Sequence, residues 1–183
     1  MQNRKLKNSE LNRKSVTEAK LAPKTPLILI LDNIRSLNNI GSVFRTADAF
    51  LIEKIYLCGI TATPPHKDIQ KTALGATASV AWEYREDTLA LTKELQEEGV
   101  MVWAIEQAQG AIYLNEYQPN LTVKTAFVLG NEVKGVQQAV IDQAKQVIEI
   151  PQEGAKHSLN IAVTTGVVCW DFYHKLAAKK IHK

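Results

Sequence analysis

Three segments of the chain place polar side chains and glycines at spacings that could do chemistry. In the first, residues 32–48, Asn39, Gly41 and Arg45 follow one another closely, with Arg45 set among apolar positions. A planar guanidinium mounted there suits a phosphate or a carboxylate, and an ordinary surface salt bridge explains it equally well. Gly41 would permit a tight turn or the close approach of a ligand. In the second, Phe127 to Gly135, an apolar run delivers Gly130, whose bare backbone can touch a ligand, and Glu132 follows at once. A strand-to-helix turn carrying a solvated glutamate is the plain alternative. In the third, Ile150 to Asn160, Pro151 and Gly154 force an irregular loop. Ser158 is placed to cap the following helix, with Asn160 in its first turn, where backbone N–H groups are unpaired. Capping accounts for Ser158 but not for a polar Asn160 at the head of an apolar helix.

Several other chemistries are excluded by spacing. No two of the nine glycines stand two apart, so no GxGxxG dinucleotide fingerprint exists. Gly130 and Gly135 have the spacing of a phosphate-binding loop, but Val136 and Gln137 occupy the positions that need Lys and Ser/Thr. His66, His157, His174 and His182 do not pair at metal-ligand spacing, and no metal is expected. Cys58 and Cys169 lie far apart in apolar runs and read as buried reduced thiols.

The elements that must position these segments alternate along the chain. Leu27–Leu31 is a continuous aliphatic run, the mark of a strand buried on both faces. Ile40, Val43, Phe44, Ala47 and Leu51 form a helical stripe. Further strands are expected at Lys54–Cys58, Ser79–Tyr84, Val100–Ile105, Thr125–Leu129 and Gln146–Ile150. Helices are expected at Asp68–Leu74, Thr88–Glu98 (capped by Asp87), Gly135–Ala144 and Ser158–Lys180. Gln107–Lys124 has no clear period and reads as an irregular loop. The pattern predicts an α/β domain with a mostly parallel sheet, helices on both faces and right-handed crossovers. Each of the three polar segments then follows a strand, where open α/β sheets bind ligands.

The last helix is apolar nearly all round: Ile161, Ala162, Val163, Val167, Val168, Cys169, Trp170, Phe172, Tyr173 and Leu176 leave little polar face. Such a helix is expected to be buried on more than one side, one against the sheet and the other against a partner subunit, with an unusually buried helix of a monomer as the alternative.

The 183 residues suit one domain, 25–183, preceded by a basic arm, 1–24. The arm holds seven basic residues against two acidic ones, so within a net charge of +3 the rest of the chain is negative. Lys175, Lys179, Lys180 and Lys183 form a second basic cluster. Basic arms hold phosphates, although solvated surface explains them too. The apolar runs are shorter than a membrane span and no signal-peptide pattern follows the arm, so a cytoplasmic protein is expected.

Together the three segments resemble the signature motifs of the SpoU/TrmH branch of the SPOUT RNA methyltransferases. Asn39 to Thr46 is similar to NxGxxxRT, Gly130 to Gly135 to GxExxG, and Ile150 to Asn160 to IPxxGxxxSLN. Order and spacing agree over residues 25–175, and Lys71 to Ala76 also looks like that family. The resemblance implies a C-terminal trefoil knot and S-adenosylmethionine as cofactor, held largely by backbone groups. By motif position Gly130, Ile150, Ser158 and Leu159 would touch the cofactor, with Ile105 at the end of the fourth strand. Arg45 would be the catalytic arginine, and Asn39, Glu132, Ser158 and Asn160 the other active-site positions. The family methylates a ribose 2′-hydroxyl of RNA as a homodimer through the last helix. The short arm, in place of a larger RNA-binding domain, favours tRNA over rRNA as substrate. A non-catalytic RNA-binding module on the same fold is the rival reading, with a small-molecule methyltransferase behind it.

Overall fold

The computed structural model describes residues 3–155 and 158–181. His157, His182 and Lys183, which entered the reading above, lie outside them. Among the described residues seven strands form one sheet: β1 (Thr25–Asp32), β2 (Ile52–Cys58), β3 (Trp82–Arg85), β4 (Met101–Ile105), β5 (Ile112–Tyr113), β6 (Thr125–Leu129) and β7 (Gln146–Glu149). The order is β3-β2-β1-β6-β4-β7-β5, and every pairing is parallel.

Among the described residues six α-helices accompany the sheet: α1 (Val16–Leu21), α2 (Leu37–Ala49), α3 (Lys67–Ala73), α4 (Thr88–Glu97), α5 (Gln138–Gln143) and α6 (Ile161–Ile181). Alternate residues of the central strands divide the core. Leu27, Leu29 and Leu31 of β1 join Phe44 of α2, Ile69 of α3 and Phe172 of α6 on one face. Ile28 and Ile30 join Leu91 and Leu95 of α4 and Val140 of α5 on the other. The period of two in the strands therefore sorts one apolar run into two cores. No helix is long and apolar enough to cross a membrane, among the described residues.

Several boundaries differ from the sequence reading, each for a local reason. The segment expected as an irregular loop contains β5, which pairs Ile112 with Ile148 and Tyr113 with Glu149. Two residues are too few to show a period. The third strand starts at Trp82, because Ala76–Ala78 form a 3₁₀ turn first. Helix α5 starts at Gln138, because Gly135 sits at φ +69° in the preceding turn. Helix α6 starts at Ile161, and its cap is Asn160, not Ser158: Asn160 Oδ1 accepts from Ala162 N at 2.8 Å, and its carbonyl accepts from Thr164 N. Gly41 makes no turn; it lies within α2, where a Cβ would stand 2.1 Å from Thr72 Oγ1 and 2.3 Å from the Ile69 carbonyl of α3. Its role is close helix–helix approach.

In the arm, α1 is closed by a reciprocal pair: Ser15 Oγ accepts from Glu18 N, and Glu18 accepts from Ser15 N. Both cysteines are buried and unpaired. Burial pushes each thiol up to about 12.

Candidate active site

The strand order brings the ends of β6, β4 and β7 side by side. Ile105 pairs with Leu129 on one side and with Ile148 on the other. The three loops that leave these ends enclose a cavity of about 610 Å³. Ile105, Gly130, Ile150, Ser158 and Leu159, the five residues expected at the cofactor, all line it. Glu132 and Asn160 line it too.

Gly130 is required by its own chain more than by a ligand. A Cβ there would stand 2.1 Å from Val136 N and 2.2 Å from Gly135 C. The loop after β6 folds back on itself: Asn131 and Gly135 exchange backbone hydrogen bonds of 3.0 and 2.8 Å, and Asn131 Oδ1 accepts from Val133 N and Lys134 N. Asn131 Nδ2 also donates to the Asn33 carbonyl at 2.6 Å, tying this loop to the end of β1.

Glu132 reaches across to the head of α2. Its carboxylate accepts from Arg35 N and Ser36 N, each at 3.1 Å, and from Asn39 Nδ2 at 3.2 Å. Partial burial pushes this carboxyl up, but the hydrogen bonds from Arg35, Ser36 and Asn39 outweigh burial and leave it below the usual value. Asn160 Nδ2 donates to Asn39 Oδ1 at 3.2 Å. Asn39, Glu132 and Asn160 thus form one connected network from three distant parts of the chain.

Arg45 is not brought to this cavity. It is exposed on α2 and lines a second cavity with Ser42, Thr46, Lys71, Thr72 and Gly166. Its guanidinium has no hydrogen-bond or ion-pair partner among the described residues. Ser158 lines the cavity at the strand ends but is not part of the Asn39 network.

Two residues were missed in the sequence, one that ties together the elements around the site and one that lines it. Asp32, the buried last residue of β1, accepts from Thr88 Oγ1 (2.7 Å), Asn33 Nδ2 (2.8 Å), Gln137 Nε2 (2.8 Å) and Gln137 N (3.0 Å). It ties β1 to α4 and to the chain leaving the β6 loop. Glu106, the residue after β4, lines the cavity and accepts from Val136 N and Gln107 N, each at 2.9 Å. The available signal was an acid directly after a parallel strand, a usual ligand-facing position in α/β sheets.

The residue set fits S-adenosylmethionine. Apolar walls from Ile105, Leu129, Ile150 and Leu159 suit an adenine, and Glu106 and Glu132 offer acceptors to a ligand bearing positive charge.

A model of the SpoU rRNA methylase family matches residues 26–170. The chain belongs to that family. The family comprises S-adenosylmethionine-dependent RNA 2′-O-ribose methyltransferases, and membership places this chain among them, on the SPOUT α/β-knot fold. The chain is 32% identical over 172 residues to the 23S rRNA (guanosine-2′-O-)-methyltransferase RlmB of Vibrio parahaemolyticus, covering 93% of this chain and 68% of that one. An AdoMet-bound rRNA methyltransferase from Sinorhizobium meliloti superposes with a TM-score of 0.77 at 26% identity, over 82% of this chain and 56% of that one. The TrmH/SpoU tRNA-modifying enzyme of A. aeolicus superposes with a TM-score of 0.80 at 24% identity, over 90% and 82% of the two chains. The chain therefore spans about two thirds of the Vibrio relative's length and a little over half of the Sinorhizobium one.

Proposed function

We propose that the cavity at the ends of β4, β6 and β7 binds S-adenosylmethionine and that the chain methylates a ribose 2′-hydroxyl in ribosomal RNA. The observation that carries the site is the convergence of Ile105, Gly130, Ile150, Ser158, Leu159, Glu132 and Asn160 on one cavity. The preference for rRNA rests on the Vibrio relative, a 23S rRNA enzyme, and reverses the leaning towards tRNA drawn from the short arm.

S-adenosylmethionine, when bound, supplies an electrophilic methyl group on a sulfonium. The chain's task is to hold the acceptor hydroxyl in line with it and to favour oxyanion character there. Glu132 is a poor base, since three donors hold its carboxylate in the charged form. Its work is to fix Asn39, and through Asn39 the side chain of Asn160. Arg45 carries a guanidinium, which is no general base either. It serves as a clamp: an unpaired guanidinium in a cavity with Lys71 and three hydroxyl side chains, and no carboxylate, grips an RNA phosphate and stabilises the developing alkoxide.

A homodimer completes the site. Val163, Val167, Trp170 and Tyr173 form one stripe along α6 and are 53%, 38%, 55% and 42% exposed. Gly166, on the same helix, shares a cavity with Arg45. A second copy docking on the stripe lands beside Arg45, which does not line its own protomer's cofactor cavity. The basic arm adds phosphate contacts.

The test is tritium transfer from labelled S-adenosylmethionine into unmodified rRNA and, separately, tRNA, with Arg45→Ala beside wild type. Label in rRNA, lost in the variant, is the expected result. Label in tRNA alone overturns the substrate assignment. Bound cofactor with no label in either pool favours the non-catalytic module.

A further inference from the structure

We propose that Glu106 receives the ribose hydroxyls of the bound cofactor. The proposal rests on the reading of the cavity as the S-adenosylmethionine site and assigns one of its contacts. Position is the first ground. In the order β6-β4-β7, the end of β4 lies between the other two, and Ile105 is paired on both sides. Glu106, the next residue, stands between the loop of Gly130 and the loop of Ile150. In an adenosyl sulfonium the ribose joins the adenine to the sulfonium chain, and an acceptor set between the two flanking loops is placed for the part that joins the other two.

The second ground is the state of the carboxylate. Oε1 accepts from Gln107 N and Oε2 from Val136 N, each at 2.9 Å. An ionised carboxylate offers about four acceptor positions, so two remain. No Lys or Arg pairs with Glu106 among the described residues. A vicinal diol presents two O–H donors and matches the two remaining positions. The loop is also shaped around this group: Gly135 has φ +69°, and a Cβ there would stand 2.3 Å from Glu106 Oε2. A small backbone alone lets the carboxylate lie against the β6 loop while facing the cavity.

The contact is tested by calorimetric titration of wild type and Glu106→Gln with three ligands. These are S-adenosylhomocysteine, its 2′,3′-dideoxy analogue, and 5′-methylthioadenosine, which keeps the ribose but lacks the amino acid. Loss of charge-assisted hydrogen bonds is expected to weaken both hydroxyl-bearing ligands about tenfold or more. The dideoxy analogue, with nothing to donate, is expected to change by less than about twofold. Comparing ligands within one variant cancels any general distortion of the cavity. An equal loss for the dideoxy analogue overturns the proposal in favour of mere loop support. A loss for S-adenosylhomocysteine that vanishes with methylthioadenosine also overturns it, and moves the carboxylate to the ammonium end. Wild type that binds none of the three overturns the cavity assignment itself.

Discussion

Asn160 donates through Nδ2 to Asn39 Oδ1 at 3.2 Å, although the two are 121 residues apart. The same Asn160 caps α6 through its other side-chain atom, Oδ1, at 2.8 Å from Ala162 N. One side chain therefore starts the long helix and joins the last motif to the first. The two jobs use different atoms, so a substitution can separate them. Asn160→Asp keeps an acceptor for the cap and loses the donor to Asn39. It is expected to leave chemical denaturation within about 0.5 kcal/mol of wild type, whereas Asn160→Ala loses about 1 kcal/mol. Methyl transfer should fall roughly ten- to a hundredfold in both. Full activity in Asn160→Asp would sink the positioning role of the Asn39 contact.

Glycine substitutions at two motif positions should fail in different ways. A Cβ at Gly41 meets Thr72 and the Ile69 carbonyl, between α2 and α3 and away from the cofactor cavity. Gly41→Ala is expected to cost about 1–3 kcal/mol in stability by overpacking, with cofactor affinity kept in the folded fraction. At Gly130 the clash is with the backbone of Gly135 and Val136, which shape the cavity. Gly130→Ala should abolish cofactor binding. Thermal unfolding and calorimetry on the two variants check the contrast.

The exposed stripe of α6 predicts an association state. Phe50 packs against both Trp170 and Tyr173, at ring separations of 6.1 and 5.6 Å, and holds these side chains in place at the surface. Wild type is expected to sediment as a dimer and Trp170→Glu as a monomer, since a charge cannot be buried there without a partner. The monomer should still bind S-adenosylmethionine, because the stripe does not line that cavity, but should not transfer methyl groups. An active monomer would remove the need for a second copy at Arg45.

Alkaline stability follows from burial. Desolvation pushes Tyr117 from an ordinary 10.0 to about 12, and Cys58 and Cys169 from 9.0 to about 12. Unfolding lets all three lose protons at lower pH than the fold does. Their contribution is complete below pH 9 and is lost as pH rises towards 12. Tyr117→Phe should therefore flatten the decline in denaturation midpoint between pH 10 and 12, relative to wild type at each pH.

The strands were legible because continuous aliphatic runs such as Leu27–Leu31 have few alternatives to burial on both faces. The caps and stops at Asp87 and Gly99 were legible because their chemistry is local. The motif residues could be named for the same reason: glycine, proline and polar types at fixed intervals are properties of the chain itself. Partnerships between distant segments were not. Strand order decided that Ile105, Gly130 and Ile150 meet, since three parallel strands in register end at one level. Packing decided that Gly41 serves a helix contact and that Glu132 serves α2. It also decided that Arg45 points to a cavity of its own, because position along α2 sets which face a residue occupies. Glu106 could be seen in the sequence as an acid after a strand; its significance came only from standing at the middle of three strand ends. Sequence determines which groups are available within one element, and the tertiary fold alone determines which of them share a site.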